Sequence, residues 1–278
     1  MREYIGGVFM AAGKIVSVSY WPAPLAYFED LPKSKATYKE LTAAMKEAAI
    51  HIRDSHPQTI VILSRYRYTL RDAIGYSPQP RLRGALQPSG GAPITLGMET
   101  DDFFNHVMLR LGERMGIPLV SILDHMPTIS TDDYFLHHTA AIPLHFLGEE
   151  GLGNKQIVRL TMGRLSYEEL YTFGRLMQMA AQQSGRRIAV VGSANLLPAR
   201  LVNQEDVSVD KNIALMNALA DCRPQALHEL GYPVEDEYAF RTAAFVLGAV
   251  SGLKAAVQTH HYSTISGQSY GLVQYAIP

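Results

Sequence analysis

The chain has one cysteine, Cys222, among its 278 residues. A lone cysteine cannot form an intrachain disulfide, and it cannot by itself build a cysteine-ligated zinc or iron–sulfur site. Any bound metal would therefore depend on histidine, carboxylate or tyrosine side chains. Nothing in the cysteine content indicates an oxidising compartment.

The chain also lacks an excess of one charge and a long apolar run. With 25 basic and 26 acidic residues, its net charge of -1 gives no reason to expect nucleic acid or an anionic membrane as a partner. The apolar stretch at residues 4–12 is interrupted by Gly6 and Gly7, is too short to span a bilayer and has no clear cleavage pattern. These features predict a mature cytoplasmic protein that binds small molecules or other proteins.

Apolar residues make up 47% of the sequence, which is enough for a buried core in a single domain covering residues 1–278. Two β-rich runs, residues 59–63 and 188–191, each follow an amphipathic stretch and each end in a polar loop. This alternation of helical and strand segments predicts an α/β fold, in which helices flank a central mixed or parallel sheet.

Helical periodicity is clearest in two segments. Residues 34–54 place apolar side chains on one face, with Ser34 available as a cap. Those side chains are Tyr38, Leu41, Met45, Ala48 and Ile52. Residues 166–169 fit a capping box, and the apolar stripe that follows ends before Gly185. Further helices are predicted at residues 101–115, 210–221 and 236–251, and a strand at 157–162.

Residues 75–97 are rich in proline, glycine and arginine and show no periodicity. This composition predicts a long irregular excursion from the core. Loops of such length tend to be functional or mobile.

In α/β sheets, ligands bind beyond the carboxyl ends of the strands. The loops after Val18, Leu63 and Val191 are therefore the first candidates for a ligand site. None of these loops contains a histidine or a carboxylate, and neither a G-x-G-x-x-G sequence nor a P-loop lysine motif is present. After Leu63, arginines alternate with tyrosines. Arg65, with Arg67 and Arg71, is suited to binding an aromatic carboxylate, although a solvated edge explains the same pattern equally well.

The histidines concentrate at His137-His138, at His145 and at His260-His261. Adjacent histidines on a strand point to opposite faces, so only one of each pair would reach a given site. His138 is a candidate general acid or base, or a hydrogen-bonding group for a substrate, with an ordinary core or surface histidine as the alternative. The acidic residues 235–237 precede a predicted helix, where carboxylates commonly complement the helix dipole.

Taken in order, several segments resemble the LigB-type superfamily, which includes class III extradiol ring-cleavage dioxygenases, Memo-like proteins and the dioxygenase-like domain of the AmmeMemoRadiSam system. Residues 136–146 (LHHTAAIPLHF) are similar to the family's L-D-H-G-x-x-V-P-L-x-F. Residues 185–201 are similar to G-R-x-V-x-x-x-S-G-D-L-S-H-x-L, and residues 237–241 with 247–249 to E-C-G-L-R and the helix after it. Residues 266–271 match the family's C-terminal glycine-rich segment more loosely.

The resemblance implies a ferrous site of two histidines and one glutamate, and most of it is replaced in this chain. Pro22, next to Trp21, stands at the first histidine position, and Tyr66 stands at the second. Glu237 matches the glutamate and is the only family metal ligand that is retained.

The resemblance also assigns the remaining pocket positions. In the S-G-D-L-S-H segment, Asn195 replaces the aspartate and Pro198 falls at the catalytic histidine. The other histidine of the family is kept as His138. The expected pocket therefore contains His138 and Glu237, with Trp21, Pro22, Tyr66, Asn195 and Pro198 in its wall.

Three functions follow from the resemblance. The first is a protein without the usual iron chemistry, acting as a small-molecule binder or as a noncatalytic subunit, in a homodimer or beside a related active dioxygenase subunit. The second is an aromatic ring-opening dioxygenase with a rebuilt Fe²⁺ or other metal site. Its ligands would be Glu237 with His138, Tyr66 or one of His106, His125 and His260. The third is a Memo-like interaction protein.

Overall fold

Strands and helices alternate along most of the chain. The computed structural model describes residues 13–29, 35–65, 70–88, 92–122, 136–198, 205–230 and 238–278. The strands are β1 (Lys14–Trp21), β2 (Thr59–Ser64), β3 (Ile74–Tyr76), β4 (Arg81–Leu86), β5 (Ile94–Glu99), β6 (Leu119–Ser121), β7 (Gln156–Thr161), β8 (Arg187–Ser193), β9 (Ala256–Ile265) and β10 (Gln268–Ala276). The helices are α1 (Leu25–Glu29), α2 (Lys39–Asp54), α3 (Asp102–Met115), α4 (His138–Leu147), α5 (Tyr167–Ser184), α6 (Glu205–Ala220), α7 (Gln225–Glu229) and α8 (Tyr238–Val250).

Eight of the strands form one mixed sheet in the order β6-β3-β7-β2-β8-β1-β10-β9. Strands β7, β2, β8 and β1 are parallel neighbours at its centre. On one side β3 runs antiparallel to β7 and β6 parallel to β3, and on the other side β10 and β9 add two antiparallel strands. The predicted α/β class, with a central mixed sheet flanked by helices, is therefore confirmed.

The central strands are buried on both faces, which explains why their sequences are apolar runs rather than alternating patterns. On β2, Val61 and Leu63 face α3, α5, α6 and α8, and we call this side the helix-rich face. Ile60 and Ile62 face α1, α2 and α4 together with the β4–β5 hairpin, and we call this side the hairpin face.

The helix signals in the sequence correspond to observed caps. Ser166 and Glu169 form the predicted capping box, and Gly185 ends α5 in a left-handed conformation with φ of 68°. Helix α2 begins at Lys39 and buries the predicted stripe, but Tyr38 at its N-cap makes no side-chain cap bond. Ser34 lies outside the described residues.

The other predicted elements are present with shifted boundaries. Asp101 is the N-cap of α3, and α6 begins at Glu205, five residues before the predicted start. Helix α8 contacts α5 closely at Gly248, where an added Cβ would lie 2.0 Å from the carbonyl oxygen of Tyr171. Only a residue without a side chain permits this approach of the two helices.

The prediction of an irregular segment at residues 75–97 was wrong. Strands β4 and β5 in this segment form an antiparallel hairpin. On β4, Leu82 and Leu86 are buried, while Arg81 and Arg83 are exposed, so the strand has the period of two that a half-buried strand requires. Because the segment is rich in glycine and proline, this short alternation of buried and exposed residues could not be recognised from the sequence. Residues 89–91 lie outside the described residues.

The C-terminal hairpin of β9 and β10 was not predicted from the sequence either.

Within the described ranges, no helix combines the length and apolarity that crossing a membrane requires.

Candidate functional site

A row of polar side chains lies at the carboxyl ends of the four parallel strands. In register across the sheet, Trp21 of β1 pairs with Ser193 of β8, Ser193 with Ser64 of β2, and Ser64 with Thr161 of β7. All four side chains are buried. We call these residues the carboxyl-edge row. The loops after β1, β2 and β8 leave from one edge of the sheet, because these strands are parallel neighbours. They begin later than predicted, since β1 extends to Trp21 and β8 to Ser193 rather than ending at Val18 and Val191.

The carboxyl-edge row faces α4. Trp21 packs in the core of the hairpin face, as do Ile62 and Val191, which lie two residues before Ser64 and Ser193 on their strands. The hydroxyl of Thr139, in the first turn of α4, donates a hydrogen bond of 3.0 Å to the carbonyl oxygen of Arg65. The amino end of α4 is thereby attached to the carboxyl end of β2.

Two polar atoms in the row have no hydrogen-bond partner among the described residues, namely Nε1 of Trp21 and Oγ of Ser193. Leaving a buried polar group unpaired costs about 1–3 kcal/mol. Other buried polar atoms in the described chain are also unpaired, for example on Ser19, Thr259 and Gln274. The pair in the row differs because its members are neighbours in register at the edge where α/β proteins bind ligands.

His137 and His138 lie at the start of α4, so treating them as strand residues with opposed side chains was wrong. His137 is the N-cap, and its Nδ1 lies 3.4 Å from the backbone nitrogen of Thr139 and 2.8 Å from the hydroxyl of that residue. The rings of His137 and His138 lie side by side, with centroids 4.1 Å apart. Both rings are therefore close to the carboxyl end of β2.

Burial lowers the pKa of His138 below its ordinary value, and the positive charge of Arg65 lowers it further. Both causes favour the neutral imidazole, which has one donor and one acceptor nitrogen. Such a ring suits the predicted role in hydrogen bonding or proton transfer.

Arg65 connects the two faces of the sheet at this edge. Its guanidinium carbon lies 4.6 Å from the centroid of the Tyr238 ring, and Tyr238 is the first residue of α8. Helix α4 approaches the carboxyl end of β2 from the hairpin face. The amino terminus of α4 and the guanidinium of Arg65 therefore lie at the same edge, which favours an anionic group on a ligand.

The other predicted pocket residues have different surroundings. Asn195 is hydrogen-bonded to the backbone of Ala23, accepting from its nitrogen at 2.7 Å and donating to its carbonyl at 3.1 Å. Its amide thus ties the loop after β8 to the loop after β1. Pro22 is buried, and Pro198 is half-buried. Tyr66 and Glu237 lie outside the described residues, so their roles in the pocket stay predictions.

The described residues do not fit the implied iron site. Among them, no group of three or more histidine, cysteine, aspartate or glutamate side chains is arranged to hold a metal ion. Pro22 has no side-chain donor atom. His106 is exposed on α3 beside Asp102, and His260 is exposed on β9. His125 lies outside the described residues.

The sequence contains a local signal for the carboxyl-edge row that lies outside the family motifs. The apolar runs of β2 and β8 each end in serine, and that of β7 ends in threonine. A hydroxyl residue at the end of several parallel strands is visible in a sequence. That these residues share a register becomes visible only once the strand pairing is known.

Comparison with other proteins supports the fold. No protein-family model matches the chain. Protein CA_C1420 of Clostridium acetobutylicum is 23% identical over 243 residues, which cover 84% of this chain and 51% of that protein, so the chain spans about half the length of this relative. The crystal structure of the uncharacterised protein JW3007 from Escherichia coli K12 superimposes with a TM-score of 0.59 over 93% of this chain and 99% of that one, at 13% identity. At that identity the likeness shows a shared fold and nothing further.

Proposed function

We propose that this protein is a LigB-type small-molecule binder without the usual iron chemistry, and that it holds an aromatic carboxylate at the carboxyl-edge row. The observation that carries the proposal is the pair of unpaired buried groups, Nε1 of Trp21 and Oγ of Ser193, at the edge of the sheet where Arg65 follows Ser64, the register neighbour of Ser193. A ligand that hydrogen-bonds these groups would remove the cost of leaving them unpaired.

The charge at this edge supports an anionic ligand. Arg65 is exposed, and its guanidinium stacks on Tyr238, which leaves the N–H groups around its rim available for a carboxylate. The neutral His138 ring offers a further hydrogen bond. The aromatic part of the ligand is inferred from the sequence resemblance and from the buried indole of Trp21.

The resemblance also supports the absence of iron chemistry. Proline at position 22 replaces one metal ligand of the family, and Pro198 replaces its catalytic histidine. These losses beside an intact sheet are typical of a subunit that binds a ligand or supports a related active partner. The fold by itself does not determine the function.

Trp21 is the only tryptophan in the chain, so its fluorescence reports on the row directly. We expect 3,4-dihydroxybenzoate and benzoate to change the emission saturably and catechol, which has no carboxylate, to bind more weakly. Calorimetry provides a second measurement that ligand absorbance does not affect. No saturable binding of either carboxylate at millimolar concentration would refute the proposal.

Arg65→Gln tests the anion-binding role. A hydrogen bond to a charged group contributes about 1.5–3 kcal/mol, so this variant should weaken carboxylate binding by about 10- to 100-fold. Arg175→Gln removes an exposed arginine from α5 on the helix-rich face and is the matched control. An equal loss of affinity in both variants would show that binding depends on the net charge rather than on this site.

The absence of iron chemistry is tested separately. The purified chain is incubated anaerobically with ferrous iron, analysed for metal, and then mixed with oxygen and 3,4-dihydroxybenzoate. We expect no stoichiometric metal and no oxygen uptake. Stoichiometric metal that is lost in a Glu237→Ala variant, together with oxygen uptake, would instead support the dioxygenase with a rebuilt metal site.

A further inference from the structure

The two edges of the eight-stranded sheet are built differently. Strand β6, at one edge, has three residues, whereas β9, at the other, has ten. Short edge strands limit unwanted pairing, and long ones present a row of free backbone donors and acceptors. One side of β9 is hydrogen-bonded to β10, and no described strand pairs with its other side.

The sequence of β9, AVQTHHYSTI, lacks the charges and the proline that commonly protect an edge, although its pairing with β10 has one bulge, between Val257 and Thr259. It contains no lysine, no other permanently charged residue and no proline. Charged residues and proline are the common means by which proteins prevent edge strands from pairing. The small β4–β5 sheet does carry such residues, including Arg81, Arg83 and Glu99.

An exposed apolar side chain lies on the same strand. Val257 on β9 is 37% exposed, one of the few exposed large apolar residues in the described chain. In register, Val257 pairs with Tyr275, whose hydroxyl donates to the carbonyl oxygen of Leu219 on α6. Val257 therefore points to the side of the sheet that α6 covers.

We propose that β9 is the interface of a homodimer, in which the β9 strands of two copies pair antiparallel around a two-fold axis and extend the sheet from one copy into the other. A second copy fits this edge because it supplies a strand of equal length, and because a strand without permanent charge brings no like charges together when it pairs with itself. The two-fold axis also brings the Val257 side chain of the second copy to the interface. This proposal is independent of the proposed ligand.

The test is the mass of the full chain in solution, measured by light scattering and sedimentation over about 1–100 μM, a range that spans micromolar dissociation constants. We expect twice the mass of one chain at the upper end. Val257→Lys places like charges at the interface and should raise the dimer dissociation constant at least about tenfold. Met179→Lys is the matched control, since Met179 is 39% exposed on α5.

Thermal unfolding of each variant separates misfolding from dissociation. Hydrogen exchange adds a readout that needs no variant, because backbone amides of β9 should lose protection when the protein is diluted. A wild-type chain that is monomeric throughout the range would overturn the proposal. A dimer that withstands Val257→Lys, or that Met179→Lys weakens equally, would also overturn it.

Discussion

Buried polar groups at the two ends of the parallel strands differ in whether they have hydrogen-bond partners. At the amino end, Asp101 accepts from the hydroxyl of Thr59 at 2.5 Å and from the backbone nitrogen of Phe104 at 3.0 Å. Its carboxylate also lies 3.1 Å from Nε of Arg186, which directly precedes β8. At the carboxyl end, the hydroxyl of Ser193 has no partner among the described residues.

This difference separates groups that hold the sheet together from groups that remain available to a ligand. The Asp101 cluster joins the first residue of β2, the start of α3 and the residue before β8, so its bonds stabilise the packing of three elements. The carboxyl-edge row instead retains unpaired atoms at the edge of the sheet where Arg65 follows β2 and where α4, which carries His138, begins. Buried polar groups without partners are uncommon in proteins, and each one calls for an explanation such as ligand binding.

Asp101→Ala should have the largest effect on stability. Asp101 is 1% exposed, and its removal leaves Arg186 and the Thr59 hydroxyl without their partner. Breaking a buried ion pair in this way costs about 3–5 kcal/mol. Chemical denaturation measures the loss. The control is Asp102→Ala, which removes the neighbouring carboxylate, an exposed one, and should cost less than about 1 kcal/mol. Similar losses in both variants would contradict the contrast between the two ends.

A pair of hydroxyl deletions compares the two ends directly. Thr59→Val keeps the side-chain shape and removes a hydrogen bond to a carboxylate, so the free energy of unfolding should fall by about 1.5–3 kcal/mol. Ser193→Ala removes a hydroxyl that has no described partner, so stability should stay within about 0.5 kcal/mol or increase, while carboxylate binding weakens. Denaturation and ligand titration of both variants check this. A large destabilisation by Ser193→Ala would mean that its hydroxyl is paired in solution.

Much of the fold could be predicted because local signals specified it. The Ser166 capping box, the Gly185 terminus and the stripe on α2 each depend on residues close together in the chain, and these elements are present. The hairpin at β4 and β5 was missed because its strands are short and contain glycine, so a period of two was difficult to recognise.

The candidate site depends on contacts between distant parts of the chain, and the sequence showed less of it. Trp21, Ser64, Thr161 and Ser193 become neighbours only through strand register, which no local pattern specifies. Asn195 was predicted as a pocket residue from its motif position, but both of its hydrogen bonds go to the backbone of Ala23. The motif positions that the structure describes, at Trp21, Pro22, Asn195 and Pro198, lie at one edge of the sheet. The pairing of side chains there determines which groups have no described partner.

The smallest predicted effect concerns pH. Because burial and Arg65 lower the pKa of folded His138, the unfolded chain binds a proton at higher pH than the folded chain does. The stability contributed by neutral His138 is complete above the ordinary pKa of 6.5 and is lost as pH falls from there to the folded-state value. Arg65→Gln removes the positive charge near His138 but leaves its burial unchanged. The His138 pKa should therefore rise but stay below 6.5. Histidine resonances followed by NMR measure this shift. An unchanged His138 pKa in Arg65→Gln would mean that the guanidinium does not act on the imidazole, and the two groups would then have to be treated as separate contacts for a ligand.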